Sequence, residues 1–144
     1  VGVLRNEQET RQALKMKTIS YWATTAILAL GTLSGGMAEL VRRREVVEGM
    51  VHLGYPLYFV TILGFWKVLA GVALLAPGFP RLKEWTYAGI FFNMTGAVAS
   101  HAVCGDSLGH LLAPGIFAVL AVASWALRPQ NRTATALMDA AKAA

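Results

Sequence analysis

Residues 54–76 (GYPLYFVTILGFWKVLAGVALLA) form an apolar run with a single cation, Lys67, near its middle. A lysine that deep in a bilayer costs roughly 2.5–3.5 kcal/mol on insertion scales, so a partner or water must meet it. The chain offers few partners: Glu39, Glu84, Asn93, His101, Asp106 and a handful of hydroxyls. Counting inward from Trp85 places Asn93 ~12 Å into the membrane, and counting from Tyr55 places Lys67 ~18 Å from the opposite edge. In a hydrocarbon core of ~30 Å those depths coincide, so Lys67 is expected to approach Asn93, or else His101, directly or through one water. His101 falls ~24 Å from the Trp85 edge, where it can pair with Glu39 at the end of the preceding apolar run. We therefore expect Glu39, Lys67, Asn93 and His101 to line a polar pocket that opens outward. Glu84, Ser100 and Asp106 extend the network. Lys67 and His101 would bond a carbonyl or hydroxyl head, and His101 would carry protons, since imidazole titrates nearest neutrality. No nucleophile–base pair, phosphate loop or metal triad is visible. His101 and Cys104 share a face but lack a third ligand, so no metal and no catalytic residue is assigned.

The elements that position these groups follow from composition. The chain has 144 residues, of which 56% are hydrophobic and only 15% charged, against about a quarter charged in a soluble domain. Residues 18–38, 49–66, 68–80, 85–105 and 107–127 carry no Asp, Glu, Lys or Arg. Uncharged apolar runs of this length are the main sign of spanning helices. With Lys67 interrupting one of them, they amount to four spans. The expected fold is all-α, a membrane-embedded four-helix bundle over residues 20–128. A cytoplasmic N-terminal arm (1–19) precedes it and a cytoplasmic tail (129–144) follows. The first span is longer than a signal-peptide core and is read as a retained helix.

Gly31, Gly35 and Gly36 slim the first span, Gly64 and Gly71 the second, Gly89 and Gly96 the third. Small residues let helix backbones approach closely in lipid, so these faces are expected to meet one another. Between the first two spans, Arg42–Leu53 alternates Val46, Val47, Met50 and Val51 with charged residues, the pattern of a short helix lying on the membrane surface. Lys and Arg outside the spans number nine on the side of the termini and three on the other. That excess predicts both termini in the cytoplasm of an inner-membrane protein. The net charge of +5 fits topology and anionic lipid, so the partner is the bilayer and not nucleic acid.

Several strings occur in a specific order: Leu53-Gly-Tyr-Pro-Leu-Tyr58, Leu63-Gly-Phe-Trp-Lys67, Ala73-Leu-Leu-Ala-Pro77, Leu82-Lys-Glu-Trp-Thr-Tyr-Ala-Gly89, Ser100-His101 and Ser124-Trp-Ala-Leu-Arg-Pro129. Over residues 21–129 this resembles the DoxX-like family of small four-span membrane proteins. The resemblance implies that Lys67, Glu84 and His101, with Glu39 after a double glycine, are the characteristic polar positions. It also implies two kinds of activity. Some relatives are linked to thiosulfate:quinone oxidoreduction, which points to an oxidoreductase-associated subunit with quinone as the ligand. Broader relatives act as chaperones or cargo receptors, which points to a non-catalytic interaction protein whose polar network is structural. A membrane or redox protein partner and a homo-oligomer are compatible with both. With one cysteine, the chain lacks the pair that a disulfide relay needs.

Overall fold

The computed structural model describes residues 2–129; the tail expected at 129–144 lies outside them from residue 130 onward. Five helices follow in order: α1 (Gly2–Leu40), α2 (Arg44–His52), α3 (Leu57–Leu75), α4 (Pro80–Val103) and α5 (Leu108–Leu127). There is no strand among the described residues. The four long helices form a ring in which α1 packs on α3 and α5, and α4 packs on α5 and more lightly on α3. The all-α bundle is therefore as expected.

α3 and α5 are long and apolar enough to cross a membrane by themselves. α1 meets that test only together with α2, from which it is bent by 88°. α4 does not meet it; its first turns carry Arg81, Lys83 and Glu84. The bend also settles the connector. α2 is a separate amphipathic helix lying across the end of α1, with Val46, Val47 and Met50 half-buried. The segment expected as an arm before the bundle is helical and continuous with the first apolar run. At 39 residues, α1 is ~58 Å long, about twice what a bilayer core requires.

Helix ends are closed by backbone geometry. α1 ends with Arg43 N donating to Ala38 O (2.9 Å) and Arg42 N donating to Glu39 O (3.0 Å), a left-handed Schellman turn. Arg42 holds φ 50°, where glycine is the usual residue. The end of α4 repeats the motif with Gly105 at φ 73° and Asp106 N bonded to His101 O (3.0 Å). The turn between α3 and α4 contains two prolines and needs donors for the last carbonyls of α3. Lys83 supplies them. It is fully buried, and its Nζ donates to Ala73 O and Leu74 O at 2.8 Å and to Ala76 O at 2.5 Å.

The core is one-sided. Tyr21, Leu28, Ala29, Leu74, Tyr87, Ile90, Ala118 and Ala121 are buried. On α4 every buried residue lies between Pro80 and Ile90, and on α5 between Ala118 and Ser124. These segments belong to the end where α1 enters the bundle. Towards the Glu39 end, neither α4 nor α5 buries a residue. A dense four-helix core thus closes one half; in the other half burial is confined to α1 and α3, at Gly36, Glu39, Val60 and Gly64.

The glycine faces divide accordingly. A Cβ at Gly36 would come within 2.9 Å of Gly64 O, and one at Gly64 within 2.9 Å of Gly36 O. Gly71 is pressed against Leu33 and Gly31 against Phe117. Gly35, Gly89 and Gly96 have no neighbour within 4 Å of such a Cβ. The expected meeting of three glycine faces is therefore a meeting of two, α1 with α3, while the α4 glycines look outward.

Candidate functional site

Glu39 and Lys67 are joined directly. Each sits three residues after a glycine of the α1–α3 crossing, Gly36 and Gly64, so the backbone approach that needs those glycines also brings the two charges together. Lys67 Nζ donates to Glu39 Oε1 in an ion pair. Glu39 is 5% exposed, and its second oxygen, Oε2, is buried without a hydrogen-bond partner among the described residues. Lys67 is half-buried. This corrects the sequence reading of Asn93, or else His101, as the partner of Lys67. The depth count ignored the length of the lysine side chain, which carries its charge several ångströms along the helix axis towards water, and so towards Glu39.

Asn93 is half-buried on α4 and makes no side-chain hydrogen bond among the described residues. His101 pairs not with Glu39 but with Asp106: its Nδ1 lies 2.6 Å from Asp106 Oδ2. The Schellman turn explains this, since it places the residue after Gly105 back over the helix turn that carries His101. Asp106 Oδ1 lies 2.8 Å from His52 Nε2 at the end of α2. Hydrogen bonds from His101 and then His52 hold the Asp106 carboxyl below the usual carboxylate range. The His101 ring stacks on His110 of α5 at 5.6 Å, and His110 Nδ1 is 3.1 Å from Ser107 Oγ. Ser100 shares a hydrogen bond of 2.7 Å with Tyr55. At the Glu39 end, hydrogen bonds thus tie α2 and the α2–α3 connection to α4 and its following turn, and ring stacking joins α4 to α5.

Glu84 stands apart, at the opposite end. Arg128 Nη2 donates to its Oε1 (2.6 Å) and Trp125 Nε1 to its Oε2 (2.7 Å). Arg128 is buried over the Tyr87 ring. Beneath it, Ser124 Oγ bonds Thr25 (2.7 Å) and Tyr87 (2.9 Å). These groups fasten α1, α4 and α5 at the closed end. Sequence reasoning missed His52, Tyr55, Lys83 and Arg128. For Lys83 a signal existed: a lysine three residues after Pro80 lies beside carbonyls that prolines cannot serve.

Of the expected site residues, the structure brings Glu39 to Lys67 and His101 to Asp106, with Ser100 beside them on α4. No hydrogen bond joins Lys67 to Asn93 or His101 among the described residues. No group of three metal-ligating side chains is arranged to hold a metal among them.

An all-α chain with two helices long and apolar enough to cross a bilayer, or three if the bent α1–α2 pair is one span, is a membrane protein. The DoxX-like family model matches residues 23–124, most of the bundle, and the chain belongs to the DoxX-like family. Comparison with curated proteins and with solved structures gives no match.

Proposed function

We propose that the protein is a redox-linked subunit of the inner membrane. In this reading it holds a quinone or similar small amphipathic molecule in the Glu39 half of the bundle. One observation carries the reading: core burial stops at Ile90 on α4 and begins only at Ala118 on α5, while polar groups occupy the half beyond. A purely structural network would sit in the dense half, where it gains from exclusion of water. The ligand head would meet Asn93, which has no hydrogen-bond partner among the described residues, with Lys67 and His101 flanking it. Rings and tail would lie against the apolar sides of α3 and α4.

Asn93→Leu removes that contact without breaking a bond within the protein. A short-chain benzoquinone should raise the melting temperature of the purified protein, because a ligand that favours the native state stabilises it by mass action. In Asn93→Leu its affinity should fall about tenfold, the weight of one hydrogen bond, with the unliganded melting temperature unchanged. If saturating quinone shifts nothing in the wild type, the ligand reading fails. The alternative, a non-catalytic interaction protein, then takes its place.

The proposed orientation puts both termini in the cytoplasm, with α2 and the α4–α5 turn outside. Cys104 is free and exposed in that turn, so the native chain carries its own reporter. A membrane-impermeant maleimide should label it in intact spheroplasts, and Cys104→Ser should abolish the signal. Labelling that appears only after the membrane is opened would reverse the orientation.

A further inference from the structure

α2 is attached differently from the rest of the bundle. It buries no residue completely. It lies between two left-handed backbone positions, Arg42 (φ 50°) before it and Gly54 (φ 84°) after it. It rests on α3 and α1, and its last residue reaches across to the α4–α5 turn through His52 and Asp106 at 2.8 Å. Asp106 is itself held by His101 at 2.6 Å. The connector therefore bridges the half of the bundle in which α4 and α5 bury no residue, and among the described residues the bond from His52 is the one that fastens its far end.

We propose that α2 is a lid hinged at Arg42 and Gly54, and that His52–Asp106–His101 is its proton-sensitive latch, closed more firmly in mild acid than in mild base. This inference concerns access to the Glu39 half of the bundle, and its readout is the lid itself, so it stands apart from whether a quinone binds there.

The sign follows from the groups present. Asp106 faces His52 from α2 and His101 from α4, while His101 is stacked against His110 from α5. The other charged groups of α2, and those of α1 and α3 at the same end, are paired elsewhere, Glu39 of α1 with Lys67 of α3. Arg42 Nη2 donates to Thr61 (3.2 Å), Arg43 pairs with Glu45, and Arg44 pairs with Glu48. With its carboxyl held below the ordinary range, Asp106 stays ionised throughout the region in which histidines titrate. Its contribution is complete above the ordinary carboxyl range, and is lost only in stronger acid, as pH falls through the lowered value. The bond from neutral His52 already has a charged acceptor, and protonation of His52 adds an ion pair to it, a modest gain at a site where the His52 side chain is 56% exposed. His110 opposes the change by repelling a protonated His101, and that repulsion falls on the α4–α5 side of the latch. The α2 side, through His52, feels only the gain.

Hydrogen exchange of the α2 amides, measured in lipid nanodiscs and corrected for intrinsic rates, reads the latch directly. Opening of residues 44–54 should be about threefold more frequent near pH 8.5 than near pH 5.5, as expected when an exposed ion pair reverts to a hydrogen bond from neutral histidine to carboxylate. His52→Gln keeps a donor but cannot titrate, so its α2 exchange should lose the pH dependence. Asp106→Asn should open the lid at both pH values, with exchange in α3 and α5 unchanged. Equal wild-type opening at the two pH values would overturn the proposal. So would a pH dependence that survives in His52→Gln, or α3 and α5 exchanging in step with α2.

Discussion

Lys67→Met should destabilise the protein by about 3–5 kcal/mol, the usual result of removing one partner from a buried ion pair. Glu39 is then left as a carboxylate that is 5% exposed and already has one oxygen without a partner among the described residues. It must either stay charged in an apolar setting or take up a proton. Adding Glu39→Leu to Lys67→Met should restore most of the loss, because two apolar residues of similar size replace a buried pair at little net cost. The measurement is a double-mutant cycle of denaturation in one detergent. A Lys67→Met single variant as stable as the wild type would show that the two charges are not coupled. Failure of the second substitution to recover stability would place the damage in packing instead.

Gly64→Val should be damaging for a different reason. A Cβ at that position would lie 2.9 Å from Gly36 O and Glu39 Cβ and 3.0 Å from Leu40 N. Two of those atoms are backbone and cannot swing away, so α1 and α3 must separate. Overpacking costs typically 1–3 kcal/mol and occasionally more; the rigid contact here puts the expected loss at about 3 kcal/mol or above. Gly89→Val is the matched control. Nothing lies within 4 Å of a Cβ there, so the same substitution on α4 should change the melting temperature little. Equal losses at the two glycines would mean that helix propensity, rather than the α1–α3 approach, sets the cost.

The two experiments address one feature of the chain. Gly36 and Glu39 on α1 mirror Gly64 and Lys67 on α3, each pair three residues apart. That spacing was legible in the sequence and names the ion pair without any estimate of depth. Counting depth from aromatic markers instead chose Asn93, because it treated side chains as points at their own Cα level. The positions of the apolar helices were readable for a simpler reason: their flanking charges and Pro-Gly turns interrupt long uncharged runs. The α2 surface helix was readable too, from its alternation of valines with charges. What the sequence hid was long-range. His52 and Asp106 are 54 residues apart, and nothing local in either links them. Lys83 counted as an ordinary loop cation in the orientation argument, yet it is fully buried on the carbonyls of α3. Removing it from that tally leaves the charge asymmetry in the same direction.

α1 runs unbroken from Gly2 to Leu40, and Glu39, its half of the charge pair, lies in its last turn. Residues 5–19 of that helix are exposed throughout, beyond the buried stretch that begins at Tyr21. A continuous helix resists both bending and twisting, so its two ends do not move independently. Mechanically, the exposed part is a shaft fixed to the face that carries Gly36 and Glu39. Torque applied to it, by whatever grips it, arrives at the α1–α3 crossing. There the clearance is a bare backbone contact, and even a slight rotation would carry Glu39 out of line with Lys67.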